Sequence, residues 1–307
     1  MEFRQALASE LSKLMKLDEK IIVLDADLCK PDGLDKLFKE YPTRCIECGI
    51  QEANMVGVSA GLSAYGYKPI AVSFAPFITR RVFDQIAVSC AYAKQNVKLV
   101  GTDPGITAEA NGGTHMTFED IAMMRSLPNM LVYDAVDAVQ LSQAIPQIMN
   151  YEGNAYIRMP RKSRPDVFKE DYKFTLGKAD IVSSGDDITI LATGTMVYEA
   201  LLAKESLKEK GINAEVVSVN TIKPLDEETI LKSIMKTKHV LTCENHNYIG
   251  GLYSTIAELL CKKYPLHIGY VAINDEFGQV GKYDELLKVY HLTPNDIVNE
   301  VLRELNK

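Results

Sequence analysis

The sequence predicts an α/β protein made of two three-layer domains, each a parallel sheet between helices. Three observations predict it. Short apolar runs alternate with longer stretches of helical periodicity along the whole chain. The short runs are continuously apolar rather than alternating, as in strands buried on both faces of a parallel sheet. A charged segment, RKSRPDVFKEDYKFTLGKAD (161–180), interrupts the rhythm once, and a second α/β series follows it. A length of 307 residues agrees with two domains at roughly 100–200 residues each.

In order, residues 5–16 are amphipathic and read as a helix, with no apolar signal core in MEFRQALASELSKLMK. IIVLDAD (21–27), PIAVSF (69–74), VKLVG (97–101), MLVYD (130–134) and AYIRM (155–159) read as buried strands. Helical stretches at 51–65, 82–94, 117–126 and 135–148 supply the crossovers that parallel strands need. After the polar break, ITILAT (188–193), AEVVSV (214–219), HVLTCE (239–244) and IGYVAI (268–273) are strands. The helices of that half fall at 197–210, 226–236, 250–263 and 294–305, with Asp226 near a cap. The expected domains are 1–165 and 175–307.

Composition bounds the function. Hydrophobic residues make up 47% and charged residues 24%, ordinary for a protein with a sizeable core. The net charge of −7 and the lack of a basic run argue against a nucleic-acid partner. No apolar run reaches the ~18 residues that span a bilayer, so the expected setting is cytoplasmic, without membrane. Cys45 and Cys48 form a lone C-x-x-C; a zinc site would need a second ligand pair at suitable spacing, and none is present. A reduced thiol set is expected, with a redox role as the alternative.

Chemistry-bearing residues concentrate between Arg44 and His115. RCIECGIQEANMVGVSAGLSAYG places Glu52 in the first turn of a helix, ahead of Met55, Val56 and Val58. An acid there has an ordinary explanation in the helix dipole. In SFAPFITRRVFDQIA, Phe74 and Phe77 lie three apart, followed by Arg80 and Arg81. Such aromatics fit a core, or a platform for a flat heterocycle. GTDPGITAEANGGTHM carries four glycines with Asp103, Glu109, Asn111 and His115, too polar for core and typical of a functional loop.

The string ECGIQEANMVGVSAGLSAYGYKPIAVSFAPFITRRVFDQI resembles the pyrimidine-binding domain of transketolases, and NGGTHMTFEDIAMMRSLPNM continues the likeness. VNTIKPLD (219–226) and CENHNYIGGL (243–252) resemble the C-terminal transketolase domain. The resemblance covers essentially the whole chain in the family's order. It implies a thiamine-diphosphate pyrimidine-binding domain followed by a smaller C-terminal α/β domain, in a transferase that moves a two-carbon ketol unit between sugars. It makes Glu52 the acid at N1′ of the cofactor's aminopyrimidine, where a carboxylate favours the tautomer whose 4′-imino group is a base. Phe74 and Phe77 match the aromatics around that ring, with Arg80 one turn beyond. His115 matches a histidine at the donor sugar's reacting carbonyl. Arg4 and Arg161 match arginines that hold substrate phosphate through forked hydrogen bonds.

Two features of the family are missing. The Gly-Asp-Gly segment that binds diphosphate and Mg²⁺ is absent; SSGDDITI holds Gly185 and Asp186 but leads straight into a strand. The resemblance therefore implies a separate N-terminal subunit carrying the diphosphate end and Mg²⁺, no metal site on this chain, and an α₂β₂ assembly. The substrate positions also depart. Asp103 stands where the family usually has histidine, Pro31 near a usual serine, and Asn111 in place of aspartate. An unpaired Asp103 would repel a phosphate, whereas Asn111 both donates and accepts and still suits a hydroxyl. A branched or sulfonated sugar is one substrate that would fit these changes; an anion held mainly by Arg4 and Arg161 is another.

The β subunit of a 2-oxo acid dehydrogenase, a deoxyxylulose-phosphate synthase fragment and a non-catalytic regulatory homologue are the rival readings. Phe74-x-x-Phe77 with Arg80 and THMTFEDIAMMR fit transketolase better than the other enzymes, and retention of Glu52, Phe77 and His115 argues against loss of catalysis. His239, His246, His267 and His291 are isolated in sequence and expected to be structural or solvated, with an interface role open for His246.

Overall fold

The computed structural model describes residues 1–306 and contains two sheets, each flanked by helices. The first is built from β1 (Ile21–Asp25), β2 (Cys45–Glu47), β3 (Lys68–Phe74), β4 (Lys98–Thr102), β5 (Leu131–Asp134) and β6 (Ala155–Met159), all parallel. The second holds β7 (Asp180–Ser183), β8 (Ile188–Ala192), β9 (Ala214–Ser218), β11 (Val240–Asn247) and β12 (Gly269–Ile273) in the order β12-β11-β8-β9-β7. The remaining strand, β10 (Thr221–Lys223), lies late in the sequence but pairs antiparallel with β5, giving a first sheet ordered β10-β5-β6-β4-β3-β1-β2. Each sheet is thus mostly parallel with one antiparallel edge, β10 in the first and β7 in the second. Both edge strands are too short and too mixed in polarity to read as apolar runs.

The apolar strands are buried on both faces as their composition requires: every residue of β1, β4, β5, β6, β8 and β9 is buried. The helix Phe3–Leu17 buries Phe3, Ala6, Leu7, Leu11 and Met15, a stripe at helical spacing. Helix Ala138–Asn150 begins at Asp137, whose carboxylate caps the backbone N–H of Gln140 at 2.7 Å.

Two expectations change. The helix expected over 82–94 is broken into a turn at Arg80–Val82, a short helix at Phe83–Gln85 and a π-helix at Ile86–Tyr92. The charged segment after β6 is strapped down. Gln143 and Gln147 bond the backbone of Tyr172, Phe174 and Leu176, while Asp137 accepts from Val167 and Phe168. Paired backbone groups let Phe168 and Phe174 be buried despite the polar surroundings.

Candidate active site

The chain order places β1 between β2 and β3, so the direction of sheet growth reverses there. Crevices outside the carboxyl ends of strands at such a reversal are where open α/β sheets take ligands. The candidate residues collect there: Phe74 ends β3, Asp103 follows β4, Arg161 follows β6, and Glu52 starts a helix after β2.

Glu52 opens the helix Glu52–Ala64, which buries Glu52, Met55, Val56, Ser59 and Ala60 on one face. Val58 is half-buried and packs at the edge of the same core. The Glu52 side chain is 4% exposed and accepts from Arg81 Nη1 at 2.6 Å. The Arg81 guanidinium also lies 3.7 Å from the centroid of the Phe77 ring. Phe77 packs on Phe74 at 5.7 Å and edge-on to His115 at 5.2 Å. A flat, cationic N–C–N group therefore already sits on Phe77 and bonds Glu52. These are the two contacts an aminopyrimidine would use, so the residues fit that ring. Arg80 is placed differently: it pairs with Glu119 at 2.9 Å and donates to the carbonyl of Thr114, one residue before His115.

The loop carrying Asp103, Asn111 and His115 is held by the second half of the chain. Asn245, at the end of β11, accepts from the backbone N–H of Ile106 at 3.0 Å and donates to Pro104 O at 3.4 Å. Gly105 has φ +59° and lies so close to the Asn245 side chain that a Cβ would overlap it. At the far end, Asn247 N donates to Phe118 O at 2.9 Å. Gly113 packs directly on the backbone of Gly278, leaving no room for a side chain. Asn111 is exposed in this loop.

Beneath the loop is a buried charge network. Arg158 on β6, 2% exposed, bonds Asp120 at 2.8 Å, Asp134 at 3.3 Å and the carbonyl of Asn245 at 2.6 Å. Tyr156 adds a hydrogen bond to Asp120 at 2.7 Å. His246 is fully buried between Asp120 and Glu244, and burial pushes it down to about 4, so it is neutral near pH 7. Of the structural and solvated roles expected of His246, the structural one fits: β11 carries it into the interior.

A second charged group surrounds Arg4 and Arg161. Asp103 is 3% exposed and its two oxygens accept from Arg161 Nε at 2.5 Å and Arg161 N at 2.7 Å. Its backbone sits at φ 50°, a conformation uncommon outside glycine. Arg161 lies over Phe74 at 4.4 Å. Arg4 bonds Glu2 at 2.7 Å and the carbonyl of Pro31 at 3.0 Å, and its N–H donates to Arg161 O. Asp32 is buried beside them, accepts from Thr102 at 2.9 Å, and is pushed up to about 7 by burial.

Of the residues expected at the site, Phe74, Phe77 and His115 pack on one another, and Arg81 links Glu52 to Phe77. Arg81, Asn245 and Asp32 were not singled out. Arg81 neighbours Arg80 with no pattern to separate them; Asn245 and Asp32 lie far from their partners in sequence. The C-x-x-C thiols are free, and burial raises both, Cys45 to about 11, which disfavours the thiolate form.

The transketolase pyrimidine-binding domain family matches residues 1–166, and the transketolase C-terminal domain family matches residues 177–297. The chain is 48% identical over 96% of its length to the 6-deoxy-6-sulfo-D-fructose transketolase subunit of Clostridium sp. (strain MSTE9), covering 92% of that protein. It is 42% identical over 99% of its length to a putative transketolase C-terminal section of Methanocaldococcus jannaschii, covering 96% of it. Among solved structures, a split gene transketolase described as an inactive beta4 tetramer superposes with a TM-score of 0.93 at 39% identity, covering 100% of this chain and 99% of that one. Matched by both domain families and nearly end to end by separate transketolase subunits, the chain belongs to the transketolase family, as a subunit carrying its pyrimidine-binding and C-terminal domains.

Proposed function

We propose that this chain is the glutamate-bearing half of a thiamine-diphosphate-dependent transketolase that moves a two-carbon ketol unit from an anionic ketose to an aldose. Residues 1–165 form the cofactor domain and 175–307 the domain that braces it. A second subunit supplies the diphosphate and Mg²⁺ site, in an α₂β₂ assembly in the cytoplasm. The observation that carries the reading is the buried Glu52 carboxylate at a helix start, joined to the Phe77 face by a planar cationic group. When bound, the cofactor supplies a carbon nucleophile that makes and breaks the ketose C2–C3 bond.

The residues here orient and protonate. Glu52 holds a ring N–H and so sets the tautomer of its ligand. Phe77 and Phe74 present an apolar face against which a flat ring excludes water. His115, edge-on to Phe77, is positioned to hydrogen-bond the sugar oxygen that gains charge at the reacting carbonyl. Arg161 and Arg4 receive the anionic end of the sugar. The Clostridium relative's ketose carries a sulfonate by its name, which supports a donor class wider than the pentose phosphates.

The test is reconstitution with the diphosphate-binding subunit and assay of glycolaldehyde transfer against 2-oxo acid decarboxylation. Ketol transfer is expected, and Glu52→Ala should lower its rate by roughly 10²–10⁴. Full activity in that variant, or decarboxylation alone, would overturn the assignment.

A further inference from the structure

Both guanidiniums at the tail end of the site are already committed. Arg161 Nε and backbone N–H go to Asp103, and Arg4 goes to Glu2 and the Pro31 carbonyl. Asp103 is 3% exposed, so its charge cannot turn to solvent. Asp32 lies beside the same pair; its Oδ2 is buried without a partner among the described residues. Counting Arg4 and Arg161 against Glu2 and Asp103, the ion-paired groups carry no surplus positive charge. Pro31 has no N–H, and Asp103 as a carboxylate has no proton, so neither can donate to an anion.

A tail anion entering here meets the free N–H groups of the two arginines and the standing charge of Asp103. Repulsion from Asp103 scales with the charge of the tail. A phosphate ester carries between one and two negative charges at neutral pH, a sulfonate one, and both offer three oxygens to a guanidinium. The attraction is therefore similar in geometry, while the penalty rises with the second charge.

We propose that Asp103 makes this site select a ketose whose distal group is a single, non-titrating negative charge, a sulfonate class of tail, over a phosphate; this rests on the ketol-transfer reading above. Asp103 is thus a specificity residue: with the ion pairs already neutral, the free N–H groups of Arg4 and Arg161 hold one anionic charge by hydrogen bonds, and the fixed charge of Asp103 penalises a second.

The experiment uses the reconstituted two-subunit enzyme and three donors: a ketose with a C6 sulfonate, the ketose of the same skeleton with a C6 phosphate, and a neutral four-carbon ketose. The wild-type enzyme should favour the sulfonate in kcat/KM by at least about tenfold, the ratio that one modest charge contact confers. Asp103→Asn, which keeps the side-chain shape and removes its charge, should raise the phosphate-to-sulfonate ratio by about tenfold. A wild-type enzyme that uses the phosphate equally well or better overturns the proposal without needing any variant. So does an unchanged ratio in a folded Asp103→Asn enzyme. Transfer from the neutral ketose shows that ketol chemistry stands even where the tail proposal fails. If no donor reacts, the ketol-transfer reading itself falls, and the tail proposal with it.

Discussion

Replacing Arg81 with alanine should move cofactor affinity and subunit stability in opposite directions. The Glu52 carboxylate is 4% exposed and its partner guanidinium 44%, at 2.6 Å. A pair with one exposed member falls between a surface pair, worth about 0–1 kcal/mol, and a broken buried pair, costing about 3–5 kcal/mol. About 1–2 kcal/mol is a reasonable middle, and the stacking on Phe77 at 3.7 Å adds roughly 0.5–1 kcal/mol. A ligand that uses Glu52 and Phe77 must first displace that contact. In Arg81→Ala the displacement cost disappears, and Kd for thiamine diphosphate should fall by about tenfold or more. The same change leaves Glu52 buried without its partner, so the purified chain should melt roughly 3–8 °C lower. Titration calorimetry of the cofactor with Mg²⁺ into the reconstituted enzyme reads the first effect, and a thermal melt of the chain reads the second. Weaker cofactor binding in Arg81→Ala would refute the reasoning, because it would make Arg81 a cofactor ligand instead of an occupant of the cofactor's place. An unchanged melt would show that the Glu52 pair contributes nothing measurable.

Arg158→Met leaves Asp120 and Asp134 buried without their cation; a loss of about 3–5 kcal/mol is expected, and a melt within a degree or two of wild type would contradict it. Asn245→Ala removes both side-chain bonds to the Pro104–Ile106 turn, so donor KM should rise about tenfold with the cofactor Kd unchanged; a shift in cofactor affinity alone would place Asn245 elsewhere in the mechanism. Asp32 is held near 7, above its ordinary carboxyl range, so the folded state keeps a proton that the unfolded chain releases. Its stabilising contribution is full below about pH 4 and is lost as pH rises toward 7. Asp32→Asn should therefore flatten the fall in unfolding free energy between pH 4 and 7, by up to about 1.4 kcal/mol per pH unit; an equal slope in denaturant melts of both proteins would contradict the assignment.

The sequence by itself determined the α/β class, the main strands and the cluster around Glu52, because these rest on local signals. Continuous apolar runs mark strands buried on two faces, helical spacing marks the crossovers, and Glu52, Phe74 and Phe77 fall on elements whose starts and ends are readable nearby. The short edge strands β7 and β10 escaped, since three or four residues of mixed polarity carry no period. The break at Arg80–Val82 escaped because its apolar pattern still reads as helical. What only the tertiary structure decided is pairing across distance. Asp103 meets Arg161 across 58 residues and Asn245 meets Ile106 across 139. Whether an aspartate repels an anion or tempers an arginine depends on the group within 3 Å of it. Burial then fixes the outcome, because in the interior a charge is governed by its one neighbour and not by solvent.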